Sequence, residues 1–383
     1  MERSVYFDNA ATTPLRKEVV DVMHDVLLNT YGNPSSTHSF GRSAKTQIET
    51  ARKSIARHFN VKPQEIIFTS GGTESDNMFL QCAVRDLGIQ TVITSKIEHH
   101  AIIHAVDFLV EHNLAQVIYV KTNSDGMVDY EDLDRLLVAD DSKKLVSLMH
   151  VNNEIGSILD LKRVSNSCKS HNALFHTDAV QGVGHYSIDL EKVQIDFLSA
   201  AAHKFHGPKG VGFSFIRQNS GLNPFIMGGS QERGLRAGTE SVHNIVGMAK
   251  ALEIAYSKLE EEQGYIRDLK SYAISQLKSS LPGIHFNGCC SDLEHSTFTL
   301  INVALPVQKS KAELLNFHLD LKGISCSKGS ACQSGSLKGS HVLDQVLPQE
   351  HKSKPSLRFS FSIFNTKEEI DYLVETLCSF IEE

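Results

Sequence analysis

The chain has 383 residues, 41% hydrophobic and 22% charged, so it can bury a large core and build more than one domain, which excludes a disordered polypeptide. A formal net charge of -7, with no basic stripe interleaved with aromatics, excludes general affinity for nucleic acid. No segment is long and uncharged enough to span a bilayer, and the amino-terminal MERSVYFDNAATTP has no apolar signal core, so a soluble, cytoplasmic protein without membrane attachment is expected. The seven cysteines show no paired Cys-x-x-Cys spacing, which predicts reduced thiols and no zinc site.

Short apolar runs alternate with longer stretches of helical periodicity, the pattern of a sheet covered by helices. In chain order the predicted strands are EIIFTS (65–70), TVITS (91–95), QVIYV (116–120), LVSLMHV (145–151), ALFHTDA (173–179), DFLSAAA (196–202) and GVGFSFI (210–216). Five of them end in polar or glycine-rich groups. The first runs into Gly71-Gly72-Thr73, the second leads to Glu98-His99-His100, and the fourth ends in Asn152-Asn153. The fifth ends in Asp178 with Gln181 beyond, and the sixth in His203-Lys204. Polar groups therefore gather at carboxyl ends of strands, where open α/β sheets hold their ligands.

Beyond Gly247 the pattern becomes a long, charged, helical stretch, AKALEIAYSKLEEEQGYIRDLKSYAISQLKSSL (249–281), then Pro282-Gly283 and new strand-like runs such as STFTLINVAL (296–305). This marks a crossing into a second, smaller α+β domain. The expected division is a large domain over 15–256 and a small one from 1–14 and 257–383. The Ser/Gly-rich SCSKGSACQSGSLKGS (325–340) reads as a mobile loop of the small domain.

Lysine is rarely buried, so Lys204 at the end of an apolar strand either snorkels to solvent or uses its amine. Gly71-Gly72-Thr73 opens a helix, where free N–H groups and the helix dipole suit a phosphate. The alternative is an ordinary capping box of Thr73 with Asp76. Asp178 implies either a helix cap or a cationic partner, such as a protonated pyridine nitrogen. The imidazole of His99 suits stacking on a planar ligand or moving protons. An amine for an aldehyde, an acid for a ring nitrogen and donors for a phosphate are together what pyridoxal phosphate requires.

Nine blocks, in order, carry a family resemblance: YFDNAATTP, YGNPSSTHSFG, FTSGGTESDN, HVNNEIG, HTDAVQ, HKFHGPKG, GGSQERGLRAGTESVHN, GSACQSGSL and LRFSFS. Across nearly its whole length the chain resembles the cysteine desulfurases of the NifS/IscS type, fold-type I pyridoxal-phosphate enzymes related to class-V aminotransferases. The resemblance implies an α/β fold whose large domain has a mostly parallel seven-stranded sheet flanked by helices. It implies that Lys204 binds the cofactor aldehyde, Asp178 pairs with the pyridine nitrogen and His99 lies over the ring. Asn153 and Gln181 would sit near the ring's oxygen substituent, with Gly72, Thr73 and His203 around the phosphate. Thr239 would reach the phosphate of a neighbouring subunit, implying a homodimer. Arg358, aided by Asn153, would take the substrate carboxylate with a bidentate fork.

The implied reaction converts L-cysteine to L-alanine, with Lys204 as base, His99 moving protons and Cys332 keeping the sulfur as a persulfide for an acceptor protein, in iron–sulfur cluster assembly or other sulfur transfer. Cys326, ahead of the nucleophile block, reads as a small apolar residue at a strand end, with a relay between the two thiols left open. The chain departs from the family at Ala201-Ala202, where a Ser-Gly pair often supplies a phosphate hydroxyl, so Thr73, His203 and Thr239 carry more of that task. It closes at Glu383 without the long tail that docks a scaffold protein in some members, leaving the acceptor open. Rival readings are another pyridoxal-phosphate reaction on this fold, such as selenocysteine cleavage or transamination, and a non-catalytic interaction protein.

Overall fold

A computed structural model describes residues 4–307, 311–328, 339–352 and 354–382. Its centre is a seven-stranded sheet in the order Ile66–Thr69, Gly212–Ile216, Phe197–Ala201, Leu174–Asp178, Lys144–Ser147, Thr91–Thr94 and Gln116–Tyr119. All seven expected strands are present in it. The strand Gly212–Ile216 runs antiparallel to both its neighbours, and the other neighbouring pairs are parallel. A mostly parallel sheet must be covered on both faces, which is why these strands read as continuous apolar runs.

The strand period of two divides their side chains between two helical layers. Phe68, Val146 and Leu198 point into a core with Ile48 and Ile55 of the helix Ser39–His58 and Met248 and Leu252 of the helix Val242–Ser257. Their neighbours Ile67, Leu145 and Phe197 point the other way, onto Phe79 of the helix Gly72–Leu87 and Ile102 and Val106 of the helix His100–Glu111.

A separate core is built on the antiparallel strands Ser356–Ser360, Leu300–Ala304 and His285–Phe286, covered by the helices Leu259–Ser280 and Lys367–Glu382. The amino terminus returns to it. Val5–Tyr6 pairs in parallel with Ile324–Ser325, and the Phe7 ring lies edge-on to Phe359 and Phe361.

The helical stretch 249–281 is divided between two helices: the backbone breaks at Lys258, which ends Val242–Ser257 and precedes Leu259–Ser280. The apolar pattern continues through the break, but the two halves serve different cores. Met248 and Leu252 pack on the large sheet, whereas Ile266, Leu269 and Ala273 pack on the small one.

Candidate active site

The carboxyl ends of the parallel strands open into a cleft of about 260 Å³. Gly72, Thr73, His99, Asn153, Asp178, Gln181, His203, Lys204 and Arg358 all line it. Nine residues chosen from five sequence blocks and the strand end before His99 thus share one cavity, and the amino-terminal Ala10 and Ala11 line it too.

Lys204 arrives on a single 3-10 turn, Ala202–Lys204, at the end of Phe197–Ala201. Its Nζ donates to the carbonyls of Ala10 at 2.6 Å and Ala11 at 2.8 Å. The amino-terminal segment is tied down on both sides of that contact: Thr13 donates twice to the His203 carbonyl, and Gln181 Nε2 donates to Ala10 O at 2.8 Å. Two backbone dipoles therefore hold the amine at the cleft rather than letting it extend into solvent.

The phosphate-cup candidate starts where Ile66–Thr69 turns through Gly71, whose φ of +151° favours glycine, into the helix Gly72–Leu87. A Cβ at Gly72 would stand 2.6 Å from Val180 Cγ2, so the close approach of this turn to the Asp178 loop requires glycine. The capping-box alternative does not form. The N-cap is Gly71, no side chain caps it, and Asp76 lies buried one turn on, so the first N–H groups remain available to an anion. Glu74 instead accepts from Ser70 N and pairs with Arg236.

Asp178 ends the strand Leu174–Asp178, is 5% exposed and accepts from Val180 N at 2.9 Å. Burial, then the neighbouring Asp76, pushes its carboxyl up to about 7. An acid so placed gains most from a cation brought into the cleft.

His99 caps the helix His100–Glu111 by accepting from Ala101 N through Nδ1, at 3.2 Å. That bond assigns the proton of the neutral ring to Nε2. Burial, reinforced by Lys204 and His100, lowers its pKa to about 4, so the ring is neutral at physiological pH. His203 is likewise held down at about 4 by burial and then by Lys204.

Asn152 shapes the loop that presents Asn153: its Oδ1 accepts from Glu154 N and Ile155 N, and its Nδ2 donates to Ile97 O. The Asn153 carbonyl in turn accepts from Arg358 Nη1 at 2.8 Å. Arg358, 1% exposed on Ser356–Ser360, pairs through Nη2 with Asp8 at 2.9 Å. Its Nε has no hydrogen-bond partner among the described residues.

Of the remaining expected site residues, one described residue is not brought into the cleft. Thr239 is exposed and outside the lining. Cys332 lies outside the described residues, as does most of its Ser/Gly-rich block. Cys326 is half-buried after Ile324–Ser325, and burial pushes its thiol up to about 12, which suits a packing role. Ala201 and Ala202 are buried and bring no hydroxyl. Among the described residues, no three His, Cys, Asp or Glu side chains gather as a metal site, and no helix is long and apolar enough to cross a membrane.

The family model "Aminotransferase class-V" matches residues 5–373. The chain belongs to the class-V aminotransferase family. Relatives of this family member include the "Cysteine desulfurase IscS" of Dictyoglomus turgidum, 42% identical over all of this chain and 96% of that protein. The protein of the same name from Methanosarcina thermophila is 41% identical over 100% and 93% of the two chains. Among solved structures, a "NifS-like protein" superposes with a TM-score of 0.90 at 36% identity, covering 99% of this chain and all of the other. The NifS-like protein of Rickettsia africae gives 0.88 at 30% identity over the whole of both chains.

Pyridoxal phosphate, the cofactor of this family, fits the residues present. The uncapped helix start faces the cleft, the Gly72 position has no room for a side chain, and a carboxyl whose charge burial disfavours lies beside an amine in the same cavity. Sequence reasoning missed the carbonyls of Ala10 and Ala11, the role of Asp8 in holding Arg358, and Asp76. The NAATTP block marked the first segment as special, but a backbone acceptor has no side-chain signature.

Proposed function

We propose that the protein is a cysteine desulfurase, converting L-cysteine to L-alanine and leaving the sulfur on Cys332 as a persulfide. The observation that carries this reading is the convergence of Lys204, Asp178, His99 and the Gly72-Thr73 helix start on one cleft that also contains Arg358. The names and identities of the relatives support the choice of reaction among those this fold hosts.

Bound pyridoxal phosphate supplies an aldehyde for an amine and a ring that stabilises negative charge at the substrate Cα. Gly72, Thr73 and His203 hold its phosphate, Asp178 its ring nitrogen, and Asn153 and Gln181 its ring oxygen. Arg358 orients the substrate by its carboxylate. Lys204 would act as the base toward the Cα proton, and neutral His99 would move protons through Nε2. In the sulfur step the C–S bond of cysteine breaks as the Cys332 thiolate forms an S–S bond, and alanine leaves with the balancing protons, so no external oxidant or reductant is needed.

The same reading assigns residues 15–256 to a cofactor domain and 1–14 with 257–383 to a small domain. It takes the protein as a cytoplasmic homodimer. Exposed Val20, Leu27 and Leu28 on the helix Lys17–Asn29, with Tyr31 and Phe40 beyond it, support a subunit contact, and exposed Thr239 is free to reach a second cleft. The persulfide passes to an acceptor protein, with iron–sulfur assembly as the route that the relatives' name suggests.

The test is product analysis on protein reconstituted with pyridoxal phosphate and given L-cysteine under reducing conditions. Alanine and sulfide in equal amounts are expected, with Lys204→Ala inactive and no cofactor fixed to that position by borohydride. A keto acid in place of alanine, or fixation at Lys209, overturns the reading.

A further inference from the structure

Asp76 is not used by the mechanism above, yet it is 1% exposed and lines the same cleft as Asp178. It occupies the second turn of the helix Gly72–Leu87. A buried carboxylate without a cationic partner is costly, so its position calls for a reason.

The strands beneath it offer a polar relay in place of a cation. Ser147 Oγ lies 2.9 Å from His176 Nδ1, and His176 Nε2 lies 3.2 Å from Ser199 Oγ. Ser199 hydrogen-bonds Asp76. The remaining Asp76 Oδ1 has no hydrogen-bond partner among the described residues and stands 3.5 Å from His176 Nε2. His176 supplies no charge, since burial lowers its pKa to about 4.

The other titratable groups facing the pair are Glu98, buried and pushed well up by burial, neutral His99 and His203, and the amine of Lys204. Two buried acids beside one cleft cannot both ionise cheaply, even with the Lys204 amine offsetting part of the charge on Asp178. A protonated ring nitrogen relieves both at once.

We propose that Asp76 is a positioning residue of the cofactor site, acting through Asp178 to hold the pyridine nitrogen of bound pyridoxal phosphate in its protonated form. The proposal rests on the cofactor reading above and adds a second carboxylate to it. Asp76 contributes charge that Asp178 alone would have to supply, and the Ser147–His176–Ser199 relay fixes its orientation without neutralising it.

The test compares the affinity of the apoprotein for pyridoxal phosphate with its affinity for the deaza analogue, in which carbon replaces the ring nitrogen, by absorbance titration. Asp76→Asn, which keeps the shape, should lose about tenfold in affinity for pyridoxal phosphate, the equivalent of one pKa unit, and leave deaza binding unchanged. Partial misfolding lowers both affinities together and cannot mimic a changed ratio, and Asp76→Ala gives the same ratio if the effect is charge. With ring-15N-labelled cofactor, Asp76→Asn should release the ring proton at a pH about one unit lower than the wild type. An unchanged affinity ratio with an unchanged 15N midpoint overturns the inference. A wild type that binds neither ligand overturns the cofactor reading itself.

Discussion

Replacing Arg358 with lysine keeps the positive charge but removes the planar fork, and the structure bounds what that removal costs. Arg358 is 1% exposed; its Nη2 pairs with Asp8 at 2.9 Å, its Nη1 with the Asn153 carbonyl at 2.8 Å, and its Nε is open among the described residues. A lysine ammonium can reach one of these acceptors or a substrate carboxylate, but has no rigid second donor for a bidentate pair. One hydrogen bond to a charged group contributes roughly 1.5–3 kcal/mol, so Arg358→Lys should weaken L-cysteine binding by about 10- to 150-fold. Asp8 keeps a partner, the Ser327 hydroxyl at 2.7 Å, so the small core should hold. The assay titrates the reconstituted protein with L-cysteine and with cysteamine, which lacks the carboxylate, following the cofactor absorbance. Only L-cysteine should lose affinity. An equal loss for both amines would show that Arg358 merely keeps Asp8 and Asn153 in place, and would refute its role as the carboxylate fork.

A second prediction concerns the segment before Thr239, where Arg52 and Glu232 form a bidentate pair at 2.7 and 2.8 Å with both side chains almost fully buried. Glu232 also accepts from Phe68 N at 2.8 Å, so Arg52→Met strands a buried carboxylate and should cost roughly 3–5 kcal/mol in urea unfolding, part of which Arg52→Met/Glu232→Gln restores. Stability should also fall as pH drops from 7 to 5. Burial lowers His150, His176 and His185 from 6.5 to about 4 and His206 to about 3, so in that window the unfolded chain binds more protons and stability is lost as pH falls. Burial lowers His99 and His203 to about 4 as well, whereas Asp76 and Asp178, raised to about 7, and Glu98, raised by burial, act in the opposite direction, losing their contribution as pH rises, and so offset only part of the histidine effect. A urea midpoint for the apoprotein that rises on acidification would contradict this balance. Finally, Cys332→Ser should retain cofactor and bind L-cysteine yet release almost no sulfide, whereas Cys326→Ser should keep most activity. Mass spectrometry placing the added sulfur on Cys326 after a single turnover would reverse the assignment.

How much of this was legible in the sequence depended on which atoms do the work. The seven large-sheet strands were readable because a sheet buried on both faces needs unbroken apolar runs, and the cluster around Gly72, His99, Asn153, Asp178 and Lys204 because five of those runs end in polar groups that an apolar core would not tolerate, whereas Arg358, on a small-domain strand, came only through the family resemblance. The break at Lys258 was not readable: a helical period continues through it, and only the positions of two separate cores make it necessary. Contacts such as Asp8 with Arg358, 350 positions apart, likewise have no local signature.

Asp76 shows the limit most clearly, because its spacing from Thr73 suits two incompatible roles. An acid three residues after a threonine at a helix start is the pattern of a capping box, whose side chains would consume the amide groups of the first turn. A helix that is to bind an anion must leave those groups open, so capping and phosphate binding exclude each other at the same turn. Gly71 resolves the conflict by taking the N-cap with no side chain to accept a bond, which leaves the amides to the cleft. Asp76 then rotates beneath the site, against His176 and Ser199, where a carboxylate that caps nothing can act on the ring nitrogen instead.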